Sequence, residues 1–141
     1  MKTFEVPTRV RWTGERTGLV ELQGKSPLHV SAPPELKGRP GEWTPEDLFV
    51  EALESCLMLT YASLCETSAL KLVAYESQAV GFLVKGSHGF SFDRVEISPR
   101  VEVEGSQDLA LELLQQAKEL CMVGRSVACQ VVVQAEIVAR T

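Results

Sequence analysis

The sequence predicts an α+β domain of order βββ-α-ββ-α-β, with two main helices against a largely antiparallel sheet. Three observations carry this. Apolar residues recur at helical spacing from Pro45 to about Glu66, and again between Ser106 and Gly124. The remaining stretches alternate apolar and polar side chains, the period of a strand. At 141 residues, 45% apolar and 23% charged, the chain has the size and composition of a single folded domain spanning 1–141.

Alternation in Phe4, Val6, Val10 and Trp12 reads as a first strand, placed at a sheet edge because Pro7 removes a ladder donor. Gly14-Glu15-Arg16-Thr17-Gly18 is a turn, Leu19–Leu22 the returning strand, and Leu28–Val30 a third, short one. Pro33-Pro34 and Gly38-Arg39-Pro40-Gly41 make an extended loop. The first helix then starts with Thr44 as cap, Pro45 at the first helical position and Glu46 and Asp47 in the first turn. No charge occurs from Ser55 to Cys65, so this helix, ~33 Å long, is apolar all round. One sheet in so short a chain covers one side of it; the other side calls for a second subunit. Lys71–Val84 and Phe90–Glu104 read as two long strands joined at a glycine-containing loop. Ser106 caps a second helix, with Leu109, Leu113, Leu114, Ala117, Leu120 and Cys121 inward and Gly124 as its stop. Val127 to Ile137 alternate as a final strand.

The formal net charge is −5, which argues against nucleic acid as the main partner, since phosphate binding needs clustered cations. The charge is asymmetric: residues 1–41 carry seven basic and four acidic side chains, the remainder seven and fifteen. No apolar run approaches the roughly 18 residues of a spanning helix, and the opening residues lack the apolar core of a signal peptide, so no membrane association and a cytoplasmic location are expected.

Most catalytic classes lack their residues. There are two histidines, His29 and His88, and four cysteines, Cys56, Cys65, Cys121 and Cys129, with no C-x-x-C pair, so neither a zinc site nor a Ser-His-Asp arrangement is patterned. No phosphate-binding glycine motif is present, and no metal or bound cofactor is expected. A free cysteine is ordinarily a small apolar core residue; Cys65 and Cys129 are read so. Cys56 and Cys65 lie ~13 Å apart on one helix and cannot bridge. A partner for Cys56 must come from another element, and Cys121, at a helix end, is the candidate.

Thr44-Pro45-Glu46-Asp47-Leu48-Phe49, then Cys56, then a second cysteine at the end of a later helix, resembles the OsmC/Ohr family, named for osmotically inducible protein C and organic hydroperoxide resistance protein. The resemblance covers essentially the whole chain. It implies an intertwined homodimer whose central helices pack together, and a cysteine-based peroxidase that reduces organic hydroperoxides. Carried across, Cys56 is the peroxidatic cysteine and Cys121 the resolving one, the two joining as a disulfide that an external dithiol, of lipoyl type for example, reduces. Glu46 is the carboxylate that holds an arginine; Arg16 is the best match for it, with Arg11 and Arg39 as rivals. The family commonly has proline after the second cysteine, whereas this chain reads Cys121-Met122-Val123-Gly124-Arg125-Ser126. A cleft of Phe49, Leu53, Leu57 and Met58 is expected to favour bulky alkyl or lipid hydroperoxides. The alternative is a non-catalytic binding or interaction module on the same fold, in which both cysteines only pack.

Glu46 and Cys56 are separated by ~15 Å on one helix, so Glu46 cannot organise Cys56 of its own chain directly. Antiparallel packing of two subunits' helices would instead build composite sites, two per dimer.

Overall fold

The structure, a computed structural model, describes residues 2–141. The chain divides into a smaller unit ending at Phe49 and a larger one, Val50–Thr141.

In the smaller unit β1 (Val10–Gly14), β2 (Thr17–Val20) and β3 (Leu28–Ser31) form an antiparallel meander. Registers run Val10↔Val20 and Thr17↔Ser31. The first turn is tight enough to place both Gly14, at φ +118°, and Glu15, at φ +48°, in positive-φ conformations. The strand expected to begin at Phe4 starts only at Val10. Phe4 and Val6 stand 77% and 81% exposed, and Pro7 between them supplies no ladder donor. After β3 the chain folds back on itself. The Ser31 hydroxyl donates to the Ala32 carbonyl at 2.9 Å and accepts from the Arg39 amide at 2.7 Å. That return brings Gly38 so close that a Cβ would sit 1.5 Å from the Ala32 oxygen.

The first helix, α1 (Pro45–Thr67), starts as its sequence predicts. Thr44 Oγ1 accepts from the Asp47 amide, and the Asp47 carboxylate accepts from the Thr44 amide, both at 3.0 Å, a reciprocal cap. By length and composition α1 is apolar enough to cross a bilayer, contrary to the expectation that no run approaches that length. Only 22% of that apolar stretch is buried within the chain.

In the larger unit β4 (Lys71–Gly86) and β5 (Gly89–Glu104) form a long antiparallel hairpin closed at Gly86↔Gly89. The second helix, α2 (Gln107–Leu120), is capped by Ser106, whose hydroxyl accepts from the Leu109 amide at 3.2 Å. The final strand is two strands. β6 (Gln130–Val133) and β7 (Glu136–Arg140) both run parallel to β5, with Val95↔Val131 and Val101↔Ile137 in register. The sheet is therefore mixed, because α2 is a crossover that returns the chain in the direction it left. Val95, Ile97, Val101 and Val103 point from one face of β5 into a core shared with Leu53, Leu57 and Tyr61 of α1 and Ala110, Leu113, Leu114 and Ala117 of α2. The Tyr61 hydroxyl donates to the Ala110 carbonyl at 3.1 Å inside this core, tying the helices together.

Gly38→Ala should destabilise the protein by about 1–3 kcal/mol, because the clash is with backbone. Gly86→Ala, whose nearest neighbour is 3.8 Å away, should stay within about 0.5 kcal/mol. Urea titration of both variants checks this; equal midpoints would contradict it.

Candidate active site

The helix period decides where Cys56 points. Leu53, Leu57, Tyr61 and Cys65, at successive i+4 positions, form the buried stripe of α1. Cys56 is one residue, about 100°, off that stripe. It is therefore half-buried at the edge of the core rather than inside it. On its open side Cys56 lines a groove of about 640 Å³ with Ser55, Leu59, Thr60, Leu120 and Val123 among its neighbours. Leu53 and Leu57, expected to line this cleft, are buried at 1% and 2% and face a different cavity.

Cys121 reaches the same place from α2. The helix stops at Leu120, one turn earlier than Gly124 predicts, and Cys121 is its C-cap, its amide donating to the Ala117 carbonyl at 2.9 Å. Residues 122–126 then wrap around the sulfur. The Gly124 amide donates to Cys121 Sγ at 3.4 Å, Arg125 N–H to the Cys121 carbonyl at 2.9 Å, and the Ser126 hydroxyl to the Met122 carbonyl at 2.8 Å. This short 3-10 turn, Gly124–Ser126, presents the thiol without a proline after it.

The two thiols hydrogen-bond to each other, and no disulfide joins them. Burial pushes the Cys56 thiol up. Hydrogen bonds from Cys121, the Val123 amide, the Thr60 hydroxyl and the Met122 amide outweigh that and hold it below the ordinary cysteine value. Cys121 goes the other way: burial and the neighbouring Cys56 raise it, against the Gly124 and Val123 amides. The pair is thus differentiated, with Cys56 the more acidic thiol and Cys121 the less acidic one. Thr60 and the amides of residues 122 and 123 are functional groups that sequence reasoning missed. Thr60, at i+4 from Cys56, carried a signal; backbone amides carry none.

Arg16 and Glu46 lie in the smaller unit, on one groove of about 460 Å³ with Trp12 and Leu36. Arg16 is exposed, and among the described residues no ion pair joins it to Glu46. One carboxylate oxygen of Glu46, Oε2, is buried without a hydrogen-bond partner. Of the rival arginines, Arg11 is engaged by Glu21 at 3.4 Å. Cys65 is a core residue at 2% exposure, as expected. Cys129 is not; it is half-buried and lines a cavity with Cys121. Among the described residues no three His, Cys, Asp or Glu side chains cluster to hold a metal ion.

An α+β scaffold of this order with a helical thiol paired to a helix-end thiol defines a class of small paired-cysteine proteins. Residues 38–136 match the OsmC-like protein family, and the chain belongs to it. It is 27% identical over 135 residues to the uncharacterized protein YmaD of Bacillus subtilis, covering 91% of this chain and 89% of that protein. An OsmC-like protein of unknown function from Vibrio cholerae superposes with a TM-score of 0.85 at 27% identity, over 94% of this chain and 99% of the other. An organic hydroperoxide resistance protein OsmC from Legionella pneumophila shares the fold at TM-score 0.75 and 23% identity, over 96% and 98% of the two chains.

Because Cys56 is shifted down and Cys121 up, alkylation by iodoacetamide as pH rises should label Cys56 first, at a pH below that for free cysteine. Thr60→Val removes one thiolate donor and should slow Cys56 labelling at pH 7 roughly three- to tenfold. Peptide mapping of the labelled protein reads both; equal labelling of Cys56 and Cys121 would contradict the assignment.

Proposed function

We propose that this protein is a thiol-dependent peroxidase that reduces organic hydroperoxides to alcohols. The hydrogen-bonded Cys56–Cys121 pair carries this reading, because it sets a lowered thiol beside a second one in a mostly apolar groove. The Cys56 thiolate attacks the peroxide O–O bond, taking the terminal hydroxyl as a sulfenic acid while the alkoxide leaves and is protonated to alcohol. Cys121 then attacks the sulfenic sulfur, water departs, and a disulfide forms. An external dithiol restores both thiols. Leu59, Leu64, Leu120 and Val123 along the groove favour alkyl or lipid hydroperoxides over hydrogen peroxide.

Arg16 is assigned as the guanidinium that stabilises charge on the leaving oxygen, and Glu46 as the carboxylate that positions it. The unpartnered Glu46 oxygen and the shared groove support that pairing. The active form is a homodimer, because α1 leaves apolar surface uncovered, Leu59 being 63% exposed.

Cys56→Ser should abolish turnover of cumene hydroperoxide with a dithiol reductant while leaving the far-UV spectrum unchanged, since serine is hardly ionised at neutral pH. Cys121→Ser should be oxidised once and then arrest. Normal turnover by either variant would remove its residue from the mechanism, and no turnover by the unsubstituted protein would favour a non-catalytic module. Light scattering at micromolar concentration should give about 31 kDa, twice the chain mass of 15.5 kDa. A stable monomer would refute the dimer. In heterodimers of a Cys56→Ser and an Arg16→Ala subunit, recovered activity would place the two residues' functions in different chains; no rescue would assign them to one chain or exclude Arg16.

A further inference from the structure

Cys121 has two sides. One meets Cys56; the other lines a cavity of about 180 Å³ that Cys56 does not reach. This cavity is mostly apolar, walled by Leu53, Ile97 and Val131, and Lys118 and Arg125 also line it. No acidic side chain lines it. Among the described residues neither Lys118 nor Arg125 is in an ion pair, although the chain carries a net charge of −5. Two uncompensated cations beside a thiol make a local positive field that attracts anions. The Cys56 groove, in contrast, has no charged lining residue.

We propose that this second cavity is the entry for the reductant, that it selects a small anionic dithiol, and that this dithiol attacks Cys121 rather than Cys56. The inference rests on the peroxidase reading for the origin of the disulfide and adds to it a class of reductant and a point of attack. A thiolate RS⁻ adds to Cys121 Sγ, the Cys56–Cys121 bond breaks, and the electron pair leaves on Cys56. The reductant's second thiolate then attacks its own sulfur in the mixed disulfide, closing an internal disulfide and releasing Cys121, which takes a proton from water. Two thiols are oxidised to one disulfide while the protein disulfide is reduced to two thiols. The direction agrees with leaving-group chemistry, since the thiol held below its ordinary value departs faster. Peroxide and reductant then use opposite sides of the pair and do not compete for one opening.

The test starts from protein oxidised with diamide, so that it does not depend on peroxide chemistry. Reduction by 3-mercaptopropionate should be at least about tenfold faster than by cysteamine at equal thiolate concentration. That ratio should collapse towards one in Lys118→Gln/Arg125→Gln and fall with added salt. Acid quenching after one equivalent of 3-mercaptopropionate should show the adduct on Cys121. An unchanged ratio in the double variant, or an adduct on Cys56 or Cys129 with none on Cys121, overturns the proposal and leaves the peroxidase reading standing. Failure of diamide to join Cys56 to Cys121 overturns both.

Discussion

The rotational setting of α1 is the constraint on which the thiol pair depends. Four residues at i+4 spacing lock one stripe of the helix into the core, and Tyr61 fastens it with a buried hydrogen bond to Ala110 of α2. A hydrogen bond from the Ser77 hydroxyl to the Glu54 carboxylate ties the same helix to β4. With rotation fixed from both flanks, Cys56 has no choice of direction. It lies about 100° from Leu57, at the rim between core and groove. A slip of one residue would send it either into the core, where burial would keep it protonated, or out to water, away from Cys121.

The second half of the site is made of backbone. α2 ends one residue before Cys121, and the chain turns at Met122 and Val123 so that their amides face the Cys56 sulfur. Successive amides converging on one point form a small anion-favouring nest. A thiolate can therefore be favoured beside a helix C-terminus, where the helix dipole alone would oppose it. The same turn gives Cys121 a donor from Gly124, while burial pushes its thiol above the ordinary cysteine value. Two chemically identical residues are shifted in opposite directions by their surroundings.

Much of this was legible in the sequence. Thr44, Pro45 and Asp47 announce the start of α1 because capping is local chemistry, and the apolar period of both helices gives their core faces. Cys121 is recognisable as a partner because it is the cysteine at a helix end. The parallel pairing of β6 and β7 with β5 was not legible, since alternation reports which face is buried and not which strand lies beside it. Nor was the placement of Leu53 and Leu57 behind Cys121, which depends on how β6 closes over the helices. Arg16 and Glu46 share a groove without an ion pair between them, a matter of side-chain geometry that residue types do not encode.

The central claim is that Cys56 and Cys121 act as one redox unit, and it is tested most directly by mapping thiols after a single equivalent of cumene hydroperoxide. The account predicts loss of two of the four thiols and a disulfide-linked peptide joining Cys56 to Cys121, with Cys65 and Cys129 still free. Four remaining thiols, or a disulfide that leaves out Cys56, would contradict it.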